Sequence, residues 1–351
     1  MINKVKFVFS CAVILSFFLV QSCSTTISQM AHPELSDGMY DSEFPYRDAS
    51  KELEGITETI RMIHSMAFYK SYIFDKKMRL TKDEKRFKHL KNYANSEVSF
   101  HKTFAGTATI IYSNGGKVAL LTCAHVLDFP DTVISYFSDI LGYKTDIISE
   151  VSIKSKQTNY LPELEGQPEF DTLITDKKSD LALLGKELEL SESTRLKPFH
   201  YPLGKSDNLQ WGSFVYLFGY PLNNKMITKG IVSLPDDKSN NTSFWVDANI
   251  NKGFSGGLVL AIKDGIPNFE LVGIVKSAPG KTDYFLKPES AQQSMLVNDK
   301  VPYTGKIYID EKLSIRYGIT KVISIESISN FLNKNEQRLE NSGYIFDYFF
   351  K

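Results

Sequence analysis

Ala119-Leu120-Leu121-Thr122-Cys123-Ala124-His125-Val126-Leu127 sets a histidine at the end of an apolar, strand-like run. Two later stretches, Ser179-Asp180-Leu181-Ala182-Leu183-Leu184 and Gly253-Phe254-Ser255-Gly256-Gly257, supply a carboxylate and a hydroxyl, so the chain order is His, Asp, Ser. A hydroxyl is a poor nucleophile near neutral pH. It needs an imidazole to take its proton and a carboxylate to hold that imidazole in one tautomer. Glycines flanking the serine let backbone N–H groups close on an oxyanion. Asp180 is preferred to Asp171 and Asp176 because it stands at the mouth of an apolar strand, where a low dielectric lets a carboxylate steer an imidazole. Each stretch alone is a weak signal; their order and spacing make the case.

Working outward, short Val-, Ile-, Thr- and Tyr-rich runs follow one another from Phe104 onward, separated by Gly, Asn and Asp. Ile110 to Val118 contains Asn114-Gly115, a strong hairpin turn signal. Many such strands point to an all-β sandwich or barrel. The period changes near the end of the chain, where Ile325, Ile328, Phe331 and Leu332 fall on one helical face after Ser324 as the cap. Ile56 to Phe74 is expected to be the first strand or hairpin, and the charged run Thr81 to Asn95 a short exposed helix.

Around the histidine, Gly106-Thr107-Ala108-Thr109-Ile110-Ile111 and the stretch ending in Leu127 resemble the corresponding segments of trypsin-like (chymotrypsin-fold) serine peptidases. Pro202 to Ser206, Gly212 to Pro221, Thr228 to Ser233, Asp247 to Gly253, Leu271 to Val275 and Gly318 to Ile325 continue the likeness, which is nearest to the bacterial HtrA-like type. It covers about residue 100 to about residue 335. The resemblance implies an all-β fold of two packed six-stranded antiparallel β-barrels with a C-terminal helix and the site between the barrels. It implies His125, Asp180 and Ser255 as the catalytic residues, the N–H groups of Gly253 and Ser255 as the oxyanion hole, and Asn249, Ala278 and Gly318 as the substrate pocket. Protein or peptide is the implied substrate, with no metal and no cofactor. The expected peptidase domain is 51–340, with a first barrel at about 51–190, a second at about 195–325, a closing helix at 325–340 and a tail at 341–351 that leaves no room for a PDZ domain.

The chain departs from that pattern in two places. Phe254 stands where one branch of the family has an aspartate that pairs with a newly cut N-terminal amine, so activation by that route is excluded. Lys276 stands where relatives have a small polar residue near the catalytic Asp, and a cation there would compete with His125 for Asp180. Asn249, with no carboxylate at the pocket floor, favours a small or medium apolar side chain over Lys or Arg. The insertion from about Lys281 to Ser314 carries Tyr284, Phe285, Tyr303 and Tyr308, and is expected to overhang the pocket as a lid or to be a solvated loop. Two rival chemistries fail on the residues. All six histidines precede Ser255, which contradicts the Ser, acid, His order of an α/β-hydrolase, and Cys123 lacks the glycine-rich turn a nucleophilic thiol would need.

The 351 residues carry 41 Lys and Arg against 41 Asp and Glu, a balance without the basic footprint of a nucleic-acid partner. Lys4 and Lys6 precede an apolar run from Phe7 to Val20, which is shorter than the ~20 residues that span a bilayer and has the form of a secretory signal. It ends in Val20-Gln21-Ser22-Cys23, which resembles a bacterial lipobox. The expectation is a lipoprotein signal peptide at 1–22, a lipidated Cys23, a tether at 23–50, and attachment to a bacterial membrane of the cell envelope facing the periplasm or exterior. Several acyl chains, at ~0.8 kcal/mol per buried CH₂, make such an anchor effectively permanent. Of the three cysteines this leaves only Cys123, read as a small buried hydrophobe. Two function classes remain open: a membrane-anchored serine endopeptidase, or a catalytically weak protease-fold module that binds peptides or a partner protein. Oligomeric state is left open.

Overall fold

The structure, a computed structural model, describes residues 37–45, 47–82, 89–140, 142–166, 168–235, 242–277, 280–288, 307–315, 318–347 and 349–350. The expected signal peptide, Cys23 and the pocket residue Ala278 lie outside the described residues.

After helix α1 (Ser50–Thr57), seven strands form the first sheet: β1 (Ile60–Ile73), β2 (Ser96–Asn114), β3 (Lys117–Cys123), β4 (Thr132–Ser138), β5 (Lys144–Tyr160), β6 (Asp171–Asp176) and β7 (Leu181–Glu187), in spatial order β4-β5-β1-β2-β3-β7-β6. The sheet curls back on itself. A bridge between Tyr160 at the end of β5 and Glu169, with Phe170 N–H donating to Asn159 O at 2.7 Å, brings β6 against β5. The sheet is thus barrel-like, linked across this gap by that isolated bridge, with β4 at its outer end. Consecutive Leu181 to Leu184 are all buried because β7 lies between β3 and β6, with one face inside the curled sheet and the other under the packed C-terminus.

The second sheet is a closed six-stranded barrel of β8 (Phe214–Gly219), β9 (Met226–Leu234), β10 (Ser243–Ala248), β11 (Leu258–Ile262), β12 (Phe269–Ser277) and β15 (Gly318–Ser324), ordered β10-β15-β12-β11-β8-β9. Its core gathers Val215, Leu217, Val232, Phe244, Val246, Val259, Val272 and Val322. Between β12 and β15 the insertion forms a separate two-stranded ribbon, β13 (Gly280–Pro288) and β14 (Ile307–Ile315), with Tyr284 and Phe285 exposed. The described parts of the insertion are thus paired strands, while 289–306, with Tyr303, lie outside the described residues. Helix α2 (Ala124–Leu127) lies between β3 and β4. At the C-terminus, α3 (Ile325–Lys334) begins at Ser324, whose Oγ accepts from Ser327 N–H at 3.2 Å, and buries Ile325, Ile328, Phe331 and Leu332 as its period predicts. A second helix, α4 (Glu336–Asn341), follows. The tail then packs on the first barrel, with Tyr344 and Phe346 against Tyr112 and Phe349 against Phe199.

Two local expectations are corrected, at Ile56 and at the tether. Ile56 ends a helix rather than opening a strand, and the strand begins at Ile60. Of the charged run 81–95, residues 83–88 lie outside the described residues, and a short helix at Leu90–Tyr93 falls within the expected stretch. The described end of the expected tether, from residue 37, lies along the second barrel. Tyr40 bridges to Lys263, its hydroxyl donates to Glu270 Oε2 at 2.7 Å, and Asp41 joins Ile262 and Phe214 through backbone bonds. A buried aromatic with a satisfied hydroxyl outweighs the polar composition that suggested a free linker.

Candidate active site

β3 and β7 are antiparallel with Cys123 opposite Leu181, so the chain leaves β3 into α2 where it enters β7. This register brings His125 and Asp180 together. Ala124 N–H donates to Asp180 O at 3.0 Å, and His125 N–H donates to Asp180 Oδ1 at 2.9 Å. The imidazole Nδ1 lies 2.9 Å from Oδ2 and 3.1 Å from Oδ1 of the same carboxylate. Asp180 has φ +60°, a left-handed conformation that Asp tolerates better than most residues, and this turn aims its side chain back at α2. The carboxylate is 9% exposed and the imidazole 42%, so one edge of the ring is held in the wall and the other faces the cleft.

Ser255 lies in the turn before β11, on the second barrel. Gly257 N–H donates to Phe254 O at 2.8 Å, which fixes the 254–255 peptide and turns the Ser255 N–H the opposite way. Gly253 has φ +106°, and a Cβ there would collide with the Tyr220 carbonyl; only glycine fits. The amides of Gly253 and Ser255 donate to no acceptor among the described residues. The turn is tied to both barrels, since Thr107 N–H donates to Ser255 O at 2.8 Å and Gly256 N–H to Val275 O at 2.8 Å. Gly106 marks the meeting point: a Cβ there would stand 2.9 Å from Val126 Cγ2 and 3.1 Å from Ser255 O. Among the described residues no hydrogen bond joins His125 Nε2 to Ser255 Oγ.

Thr107 escaped the reading of the sequence. Its hydroxyl donates to Gly253 O at 2.7 Å and accepts from Tyr220 N–H at 2.9 Å, while its carbonyl accepts from Thr122 Oγ1 at 2.8 Å. One threonine therefore stitches the serine turn to the first barrel. Its only trace in the sequence is a polar residue inside the apolar run after Gly106.

Lys276 is where the sequence raised concern. Its ammonium lies 3.5 Å from Asp180 Oδ2, beside the imidazole. Burial pushes the Asp180 carboxyl up. The hydrogen bonds and charge of His125, with Lys276 adding a smaller effect, outweigh that and hold its pKa below the usual carboxylate range. Burial, and next the Asp180 charge, push the Cys123 thiol well up, and its Sγ donates to Val275 O at 3.3 Å, the behaviour of an inert core residue. Cys123, His125 and Asp180 offer ligand atoms within 4.8 Å of one another. A protonated, engaged thiol and a neighbouring ammonium make that trio a poor fit for a cation.

Of the predicted pocket, exposed Asn249 follows β10 directly, and Gly318 opens β15 opposite Ala248, so the two sit at one rim of the second barrel. Gly318 has φ +101°, and a Cβ on it would meet open space. Phe254 is buried in the second barrel's core, against Gly219. A hydrocarbon plug fills the place where a carboxylate would await an ammonium.

No curated protein matches the chain. Among solved structures it is similar to a thermostable serine protease, AL20, from an extremophilic microorganism, at 9% identity and a TM-score of 0.37, over 77% of this chain and 96% of that one. Residues 106–274, which hold Thr107, His125, Asp180 and Ser255, match the trypsin-like peptidase domain family. That match falls on the segment that carries the imidazole, the carboxylate and the hydroxyl, in a mostly β fold with barrel-like sheets and a C-terminal helix, and it makes the chain similar to trypsin-like peptidase domains.

Proposed function

We propose that the chain is a serine endopeptidase of the HtrA-like type that cuts protein substrates through an acyl-enzyme. The observation that carries the reading is the clamp of Asp180 on His125 Nδ1 at 2.9 Å, facing a serine turn tied at 2.8 Å to Thr107. A rotation of the Ser255 hydroxyl toward Nε2 completes the relay; such bonds commonly tighten only in the substrate complex. Ser255 Oγ then attacks the peptide carbonyl as its proton passes to His125 Nε2. Asp180 holds the Nδ1 proton and stabilises the imidazolium. The oxyanion accepts from the N–H groups of Gly253 and Ser255. Collapse breaks the C–N bond with His125 giving its proton to the leaving amine, and water repeats the sequence on the acyl ester. The open rim at Asn249 and Gly318 suits a small or medium apolar side chain before the cut. A fluorophosphonate probe is expected to label the wild-type protein and not Ser255→Ala; equal labelling of the two would remove the nucleophile from the proposal.

Attachment to the cell envelope is part of the same proposal. No helix among the described residues is long and apolar enough to cross a membrane, and the described chain begins on the second barrel, where Gly38 N–H donates to Asp264 Oδ1 at 2.7 Å. A lipid on Cys23 would hold the domain there by its N-terminal side. Metabolic labelling with an alkyne fatty acid should mark the wild type and leave Cys23→Ala unmarked and released from membranes. A Cys23→Ala protein that remains membrane-bound would argue for another attachment.

One observation favours a second reading, a protease-fold module with weak turnover: the Lys276 ammonium shares Asp180 with His125. Lys276→Ser is then expected to raise kcat/KM on a short peptide roughly ten-fold, about 1.4 kcal/mol of transition-state stabilisation. Robust turnover that is unaltered by the change would leave the binding-module reading without support.

A further inference from the structure

The chain has two tryptophans, Trp211 and Trp245, and both lie toward the end of the second barrel opposite the serine turn. β8 runs from Phe214 to Gly219, where a Cβ on the glycine would touch Phe254 beside Ser255, and β11 leaves the serine turn at Leu258 and ends at Ile262. Phe214 and Ile262 therefore mark the far rim, about 20 Å from the cleft along β8 at ~3.4 Å per residue. Trp211 sits in the turn before β8, where Gly212 N–H donates to Val232 O at 2.8 Å, and it is 69% exposed. Two residues beyond Val232, exposed Leu234 ends β9 opposite Trp245 of β10. Trp245 is half-buried, with the Lys321 ammonium 5.7 Å from its ring centre. The N-terminal segment reaches the same rim, since Phe214 N–H donates to Asp41 O at 2.8 Å. That segment adds Phe44, 63% exposed, whose ring is 5.6 Å from that of Phe214 and 3.9 Å from the Lys229 ammonium.

Where the chain enters indicates what covers these side chains. The described residues begin at Asp37, and the bond from Gly38 N–H to Asp264 Oδ1 ties them to the turn between β11 and β12, at this same end of the barrel. From Cys23 to Asp37 a fully extended chain reaches at most about 50 Å, so a lipid on Cys23 holds the rim within that distance of a bilayer. Tryptophan has an apolar body and one N–H, which suits the boundary between headgroups and acyl chains. The stems of Lys229 and Lys321 lie beside aromatic rings, an arrangement that lets an ammonium reach the headgroups. Asp37, Glu43 and Asp264 cluster around Asp41 at the rim and offset those two cations, so its attraction to lipid is apolar rather than ionic.

We propose that this rim of the second barrel is a membrane-docking face: Phe44, Trp211 and Leu234 enter the interface of a phospholipid surface, seat the anchored protein on it and turn the cleft of His125 and Ser255 away from the bilayer. The inference rests on the lipid-anchor reading and deepens it by giving the anchored domain an orientation; it does not depend on turnover. Interfacial binding of this kind scales with the apolar area it buries, and it adds to the acyl anchor.

The test reconstitutes the full-length, lipidated protein into phosphatidylcholine vesicles and reads tryptophan emission. Since Trp211 and Trp245 are the only tryptophans of the chain, the emission reports this part of the second barrel alone. It is expected to lie to the blue of the emission of Cys23→Ala protein in buffer, and phospholipid brominated on its acyl chains should quench it by about half. Trp211→Phe, which leaves Trp245 as the sole reporter, should lose most of that quenching. Phe44→Asp combined with Leu234→Asp, both on exposed side chains, should abolish the blue shift while fatty-acid labelling and fluorophosphonate labelling stay as in the wild type. Protein that carries the fatty-acid label but whose emission is quenched by aqueous iodide and not by brominated lipid overturns docking and leaves the anchor standing. A Cys23→Ala dimer in sedimentation that the two aspartates dissociate would assign the rim to a second copy and equally overturn it. Protein that takes up no fatty-acid label removes the anchor reading, and this inference with it.

Discussion

His125→Ala is expected to lower kcat by on the order of 10⁶. Among the described residues, the imidazole is the base whose one nitrogen is clamped by a buried carboxylate while its ring remains 42% exposed to the cleft. Removing it leaves Ser255 with no acceptor for its proton, and the residual rate is that of an oxyanion hole acting on water. The loss should not come from unfolding, because α2 is held by Ala124 N–H and His125 N–H on Asp180, and alanine keeps both backbone donors. Circular dichroism and the thermal midpoint are therefore expected to stay near wild type while turnover of casein disappears. Retention of even a hundredth of the activity would mean that another group takes the proton.

Asp180→Asn should be the next most damaging change, costing kcat on the order of 10⁴. Asparagine fills the same volume and can still accept from the His125 backbone N–H. Its amide, however, presents a donor to Nδ1, which moves the ring proton to Nε2 and removes the base. The same residue links activity to acid stability. In the folded protein the Asp180 carboxyl titrates below its unfolded value of about 3.9, because His125 hydrogen-bonds and charge, with a smaller effect of Lys276, outweigh burial. A depressed carboxyl contributes stability that is fully present above the unfolded pKa and is lost as pH falls through the folded one. Wild type should therefore exceed Asp180→Asn in denaturant midpoint at pH 6, and the gap should shrink below pH 4. A gap that widens on acidification would contradict the placement of a charged carboxylate between His125 and Lys276.

The candidate site was legible in the sequence wherever the chemistry forced a residue type into a local pattern. His125 follows a run buried on both faces, Asp180 precedes another, and Gly253 and Gly256 both occupy left-handed backbone. Each pattern expresses a local requirement, either an apolar strand or a φ that only glycine adopts readily. Ser324 as a cap and the face of α3 were readable for the same reason. Thr107 was not, because its importance comes from partners at 220, 253 and 255, more than a hundred positions away, and a threonine in a strand is otherwise ordinary. The segment from residue 37 was misjudged on similar grounds. Its composition is that of a linker, and only the packing of Tyr40 into the second barrel's core, with its hydroxyl donating to Glu270 and accepting from Lys205 N–H, explains why it is buried.

By itself the sequence determined the strand-rich class, the order of imidazole, carboxylate and hydroxyl, and the glycines that let a serine turn form, because these follow from periodicity, steric allowance and the identity of the reacting groups. Tertiary structure alone decided that Lys276 reaches Asp180 and that Thr107 holds the serine turn. Those outcomes depend on which strands close the two sheets and in what register. That choice is made by packing between distant segments, and no local run of residues encodes it.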